Sequence, residues 1–132
     1  VIGLDTNILL RFILRDDAVQ SPRASALLQK LSTEEPGWVT LVTIVEMVWV
    51  LSRSKGLHRT QIAEEMERLL DLDHLMVERG EAVRTAFACY RTTHADFADC
   101  LIAASARAVG CTRVVTFDRV AARDTGMELL AG

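Results

Sequence analysis

The chain has 132 residues, of which 50% are hydrophobic and 25% charged, with two prolines, seven glycines and a formal net charge of -3 at pH 7. This composition supports one domain over residues 1–132 with a sizeable aliphatic core and excludes disorder, and no apolar run approaches the length that crosses a membrane. The three cysteines, Cys89, Cys100 and Cys111, are odd in number and lack C-x-x-C spacing, which argues against a disulfide framework or a thiolate zinc site and fits a reducing, cytoplasmic setting.

Val1 to Leu4 form an apolar strand that ends in Asp5, and the pattern from Ile8 to Leu14 is helical. Asp5 and Arg11 interrupt this apolar start and no small-residue cleavage site follows, so it does not read as a signal peptide. A first residue other than methionine implies that at least one residue precedes Val1 in the full protein. Arg15-Asp16-Asp17 breaks the pattern, and Ser21-Pro22 reads as an N-cap followed by proline at the first helical position, giving a helix from about Pro22 to Leu31. Glu35-Pro36-Gly37 is turn chemistry, and Trp38 to Val42 is a β-branched strand apolar on both faces. Thr43 to Ser54 reads as a helix closed by Lys55-Gly56; it is apolar nearly all round, which implies burial on several sides, in the core or at a subunit interface. Glu46 is its only acidic residue.

Thr60 caps an amphipathic helix from Gln61 to Leu72, with Ile62, Met66, Leu69 and Leu70 on one face and solvated glutamates opposite. His74 to Glu78 forms a third strand, and a helix from Glu81 to Arg91 carries Val83, Ala86, Phe87 and Tyr90 at helical spacing. The alanine-rich stretch from Asp96 to Ala106 is a further helix, ended by Gly110. Thr112 to Phe117 is a strand ending in Asp118, and Gly126 to Leu130 a final edge strand. The alternation predicts an α/β fold, a three-layer α/β/α sandwich around a central, mainly parallel sheet of four to five strands.

Four carboxylates share a position in that scheme. Asp5 and Asp118 end strands, Glu46 lies in the first turns of a helix entered from a strand, and Asp99 lies in the first turn of another helix. Strand carboxyl ends and the starts of the helices that follow them lie on one edge of a parallel α/β sheet, where ligands bind. Like charges gathered there repel unless a cation neutralises them, and all-oxygen ligation suits magnesium or manganese. Such an ion lowers the pKa of bound water and clamps the oxygens of an in-line phosphoryl displacement, so phosphodiester hydrolysis is the natural reaction. With four carboxylates neutralised, the rest of the surface is slightly basic, and the net charge does not exclude RNA. Arg11, Arg15 and Arg53, with Lys55 and Arg59, follow the carboxylate segments and are candidates for phosphate contact. Spacing alone leaves simpler roles open. Asp96 with Asp99 fits an N-cap and its capping-box partner, Asp5-Thr6-Asn7 a strand-to-helix cap, and Asp118-Arg119 a turn ion pair.

The segments Leu4-Asp5-Thr6-Asn7-Ile8-Leu9-Leu10, Thr43-Ile44-Val45-Glu46, Asp96-Phe97-Ala98-Asp99-Cys100-Leu101-Ile102-Ala103-Ala104 and Val115-Thr116-Phe117-Asp118 resemble, in order, the four motifs of PIN-domain ribonucleases. The likeness is greatest to the VapC-type toxins of bacterial and archaeal toxin-antitoxin pairs. It implies a magnesium- or manganese-dependent endoribonuclease with Asp5, Glu46, Asp99 and Asp118 as its acidic site. It also implies supporting roles for Thr6, Asn7 and Thr116, and a second-sphere or metal-water role for Asp96. A homodimer and a small antitoxin that inserts a peptide into the active-site groove are expected with it.

Two other functions fit part of the pattern. An Asp-nucleophile phosphatase usually has a second Asp two residues after the nucleophile, where this chain has Asn7, and a phosphoacceptor domain has a lysine after a late strand, where it has Arg119. A non-catalytic module that binds RNA or a protein through the same acidic edge is the third possibility.

Overall fold

The computed structural model describes residues 1–130, and in it each of the expected strands is short and pairs in parallel. Strands β1 (Ile2–Gly3), β2 (Gly37–Val39) and β3 (Leu75–Val77) form a sheet in the order β1-β2-β3. Its register pairs Ile2 with Gly37 and Gly37 with Leu75. Strands β4 (Val115–Thr116) and β5 (Glu128–Leu129) pair separately, Val115 with Glu128. The α/β class is as expected, whereas the five strands form one sheet of three and another of two. With only two or three residues each, the strands contribute few ladder bonds, and helices make up most of the chain.

The helices are α1 (Thr6–Leu14), α2 (Gln20–Gln29), α3 (Leu41–Trp49), α4 (Arg59–Leu70), α5 (Gly80–Thr92), α6 (Phe97–Ala108) and α7 (Arg119–Thr125). Helix α2 begins before Ser21 because Asp17 Oδ1 caps it, accepting from the amides of Val19 (2.9 Å) and Gln20 (2.7 Å). Helix α3 begins at Leu41, so Leu41 and Val42 belong to it and not to β2; the Thr40 hydroxyl caps it by accepting from Thr43 N at 3.2 Å. Its C-terminal end widens into a π-helical turn over Val50–Ser54. Thr60 lies within α4, whose first turn is tied by Gln61 Oε1 accepting from His58 N at 2.9 Å. Helix α7 has no counterpart in the sequence reading. Asp118 starts it and Gly126, at φ 77°, ends it in the left-handed conformation that glycine tolerates.

Two compact units are distinguishable: Val1–Leu57 with Arg68–Glu78, and His58–Glu67 with the residues from Arg79 onward. In the first, α1 packs on α2 and α3, and Leu4, Leu9, Val39, Ile44, Met47 and Leu51 are buried. Gly37 sits among Leu4, Leu31 and Leu75, whose methyl groups would lie 2.9–3.1 Å from a Cβ there. Helix α3 is not covered all round. Ile44, Met47, Val48 and Leu51 are buried, while Val42 is 75% and Trp49 58% exposed.

In the second unit α5 packs on α6, with the Phe87 and Phe97 rings stacked at 4.4 Å and Tyr90 edge-on to Phe97 at 5.7 Å. Ala103, Ala121 and Met127, with Val114, form a smaller cluster that joins α6 and α7 to the β4–β5 pair. The cysteines are free thiols. No helix among the described residues is long and apolar enough to cross a membrane.

Candidate active site

Three consecutive parallel strands deliver three polar side chains to the start of helices in the first unit. Leu4 N donates to the Trp38 carbonyl at 3.0 Å, which holds the chain in the sheet up to the residue before Asp5. Asp5 then leaves in an extended conformation (φ -78°, ψ 159°) as the N-cap of α1, and its Oδ1 accepts from Thr6 N at 2.8 Å. Thr40 caps α3 after β2, and Glu78, just past β3, accepts from Leu41 N at 3.0 Å. Glu78 had no role in the sequence reading; it fixes the start of the helix that carries Glu46.

Glu46 is on the exposed side of α3, and its Oε1 accepts a hydrogen bond from the hydroxyl of Thr6, which is buried. A lone carboxylate in an apolar helix must be paired, ligating or solvated. Glu46 is both paired and solvated. Thr6 therefore links the Asp5 cap to the Glu46 carboxylate through one residue: its amide serves the first and its hydroxyl the second. Asn7 is exposed beside them.

The second unit gathers the other acidic residues. Asp96 occupies the N-cap position of α6 (φ -61°, ψ 146°) but makes no side-chain cap bond, so the simple capping role is not realised. Asp99 lies in the first turn of α6. Its carboxyl is raised above its ordinary value, first by burial and then by the negative charges of Asp96 and Asp118. Asp118 ends the β4 segment as the N-cap of α7, Oδ1 accepting from Ala121 N at 2.9 Å, and Thr116 Oγ1 accepts from Asp118 N at 3.0 Å. The loop before α6 is tied down by Asp124, whose Oδ2 accepts from His94 N at 2.9 Å and whose Oδ1 accepts from Arg123 at 2.7 Å.

The expected basic residues fall into different roles. Arg11 is anchored, Nε donating to Gln20 Oε1 at 2.9 Å and Nη1 pairing with Asp16 at 3.1 Å, and Lys55 reaches the same Asp16 at 3.6 Å. Arg15 is the left-handed C-cap of α1, and Arg53 is exposed in the π-helical turn. Arg59 is structural. It lies 4.0 Å over the Tyr90 ring and donates to the carbonyls of Tyr90 and Ala95, which leaves it no place in phosphate binding.

Among the described residues no three His, Cys, Asp or Glu side chains converge closely enough to hold a metal as they stand. The structure thus joins Asp5, Thr6 and Glu46 in one unit and Asp96, Asp99, Asp118 and Thr116 in the other. The PIN domain family model matches residues 2–125, nearly the whole chain and a span that contains Asp5, Glu46, Asp99 and Asp118. The chain belongs to the PIN-domain family. A VapC ribonuclease from Aquifex aeolicus (strain VF5) is 29% identical over 117 residues, which cover 88% of this chain and 86% of that protein.

The candidate residues offer carboxylate and hydroxyl oxygens, hard donors of the type that suits a divalent ion with retained waters. The like-charge load on Asp99 is of the kind that a cation relieves. In chemical type, then, these residues fit a divalent metal.

Proposed function

We propose that this PIN domain is a divalent-metal-dependent endoribonuclease, the toxin of a toxin-antitoxin pair, which hydrolyses RNA phosphodiester bonds with Asp5, Glu46, Asp99 and Asp118 as its catalytic and metal-holding residues. The observation that carries the reading is the family match over residues 2–125, and the likeness to a VapC ribonuclease directs it toward RNA. Magnesium or manganese is the ion in this reading.

A divalent ion bound by carboxylates supplies an attacking water of lowered pKa and offsets charge on the phosphate. The chain's own groups supply orientation. Thr6 fixes one oxygen of Glu46, the amides of Thr6 and Ala121 each fix one oxygen of Asp5 and Asp118, and Thr116 holds the backbone at Asp118. The carboxylates of Asp5, Glu46, Asp99 and Asp118 would hold the ion. Asn7 and Asp96 would support these carboxylates from beside them, and exposed cations including Arg15 and Arg53 would meet the phosphate backbone.

The protein works in the cytoplasm as a homodimer restrained by a small antitoxin in this reading. The exposed Val42 and Trp49, seven residues apart on one face of α3 with Val45 between, support a subunit contact there. The test is cleavage of RNA by the full chain in magnesium or manganese, repeated in EDTA and with Asp5→Asn and Asp99→Asn. Metal-dependent products that both substitutions abolish are expected; undiminished cleavage by both variants would falsify the assignment.

A further inference from the structure

Helices α1 and α2 enclose a groove of about 370 Å³ lined by Asn7, Ile8, Arg11, Gln20, Arg23, Ala24 and Leu27. Gln20, Arg23, Ala24 and Leu27 follow an i, i+3, i+4, i+7 pattern and so form one stripe along α2, while Asn7 and Arg11 are one turn apart on α1. The Arg11–Gln20 hydrogen bond joins the end of α1 to the start of α2, so the two helices run back along each other. The groove consequently has a direction. It begins at Asn7, two residues from Asp5, continues over the aliphatic floor of Ile8, Ala24 and Leu27, and carries its two guanidinium groups where α2 begins.

We propose that this groove holds the RNA strand on one side of the cut, with Arg23 and Arg11 together binding the phosphate next to the scissile one. One helical turn separates Asn7 from Arg11, about 6 Å along the axis, a step that a single nucleotide spans. Arg11 is held in place by Gln20 and Asp16. Arg23 is exposed and forms no hydrogen bond or ion pair among the described residues, so its full charge is available to a polyanion. The aliphatic floor carries no donor or acceptor, so the strand is held there through its phosphates, and the amides of Asn7 and Gln20 are the lining groups able to reach a base edge. Charge complementarity thus selects a phosphodiester strand as the occupant, and the inference rests on the nuclease reading for the position of the cut.

The test measures binding separately from cleavage. Anisotropy of a fluorescein-labelled single-stranded RNA is followed in the Asp99→Asn background over a range of salt, for Arg23 intact, Arg23→Ala, Arg23→Glu and, as a charge-matched control at the C-cap of α2, Lys30→Ala. Cleavage is followed with Asp99 intact. Arg23→Ala should weaken binding roughly two- to fivefold, the range of an exposed charge pair. Arg23→Glu should weaken it further, and the slope of log K against log salt should become shallower by about 0.7 per lost contact. Lys30→Ala should match the parent protein. Affinity and salt slope unchanged by both Arg23 substitutions, or the same loss with Lys30→Ala, would overturn the groove. If RNA binds through Arg23 and no RNA is cut in magnesium or manganese, the groove stands and the nuclease reading fails.

Discussion

Replacing Thr6 with valine removes one hydroxyl at nearly constant volume and tests whether Glu46 is held by the residue that also completes the Asp5 cap. Thr6 is only 6% exposed and its methyl group stays packed in the variant, so the loss is confined to the bond from its hydroxyl to Glu46 Oε1. A hydrogen bond to a charged acceptor contributes about 1.5–3 kcal/mol when shielded. Glu46 is exposed and water replaces the lost donor, which brings the expected cost to about 1 kcal/mol. For a chain of this size that corresponds to a fall in Tm of about 4 °C, read by differential scanning calorimetry in EDTA. The effect on RNA cleavage in manganese should be larger, roughly tenfold in rate, because an oriented carboxylate is worth more to a metal site than to the fold. Thr6→Ser keeps the donor and should recover most of the rate. A valine variant as active as the parent, or a serine variant as impaired as valine, would show that the bond does not position Glu46.

Two further outcomes follow from groups outside the carboxylate set. Asp124 is held down to about 2 by its bond from Arg123 and by the His94 amide, below the roughly 3.9 of an unfolded aspartate. Its contribution is therefore complete above about pH 4 and lost as the pH falls toward 2. The urea-midpoint difference between the parent and Asp124→Ala should be positive at pH 5 and close as the pH approaches 2; a gap constant over that window would refute the pairing. Burial, reinforced by the neighbouring Cys89 thiol 3.3 Å away, pushes the Cys100 thiol up to about 12, whereas Cys111 is exposed. Ellman's reagent should modify Cys111 first and Cys100 only on unfolding, and early modification of Cys100 mapped by peptide mass would contradict the packing of α5 on α6.

What was legible in the sequence was whatever a local pattern determines. The alanine-rich α6, the amphipathic α4 and α5, and the strand that hands Asp5 to α1 follow from periodicity and propensity over a few residues. The boundaries moved where a side chain other than the expected one supplied the cap: Asp17 in place of Ser21 for α2, and Thr40 in place of a strand running on to Val42. Helix α7 escaped because its seven residues bury only Ala121 and Thr125, too little for an apolar period to register. The expected single sheet of four to five strands is instead one of three and one of two, because strand order and pairing are set by contacts between distant segments. The same reason hid Glu78 and Asp124, whose partners lie 37 and 30 residues away. The pairing of Glu46 was hidden for the same reason, since its partner, the Thr6 hydroxyl, lies 40 residues distant.

The central claim is that the proposed nuclease is metal-dependent and that Asp5, Glu46, Asp99 and Asp118 are the residues that hold its metal. Its most direct measurement is manganese binding to the full chain, followed by the loss of the free-ion electron paramagnetic resonance signal, for the parent, Asp5→Asn and Asp99→Asn. The account predicts a bound ion in the parent that either single substitution releases or weakens at least tenfold, a carboxylate ligand being lost in each case. Manganese bound equally well by the parent and both variants would contradict it.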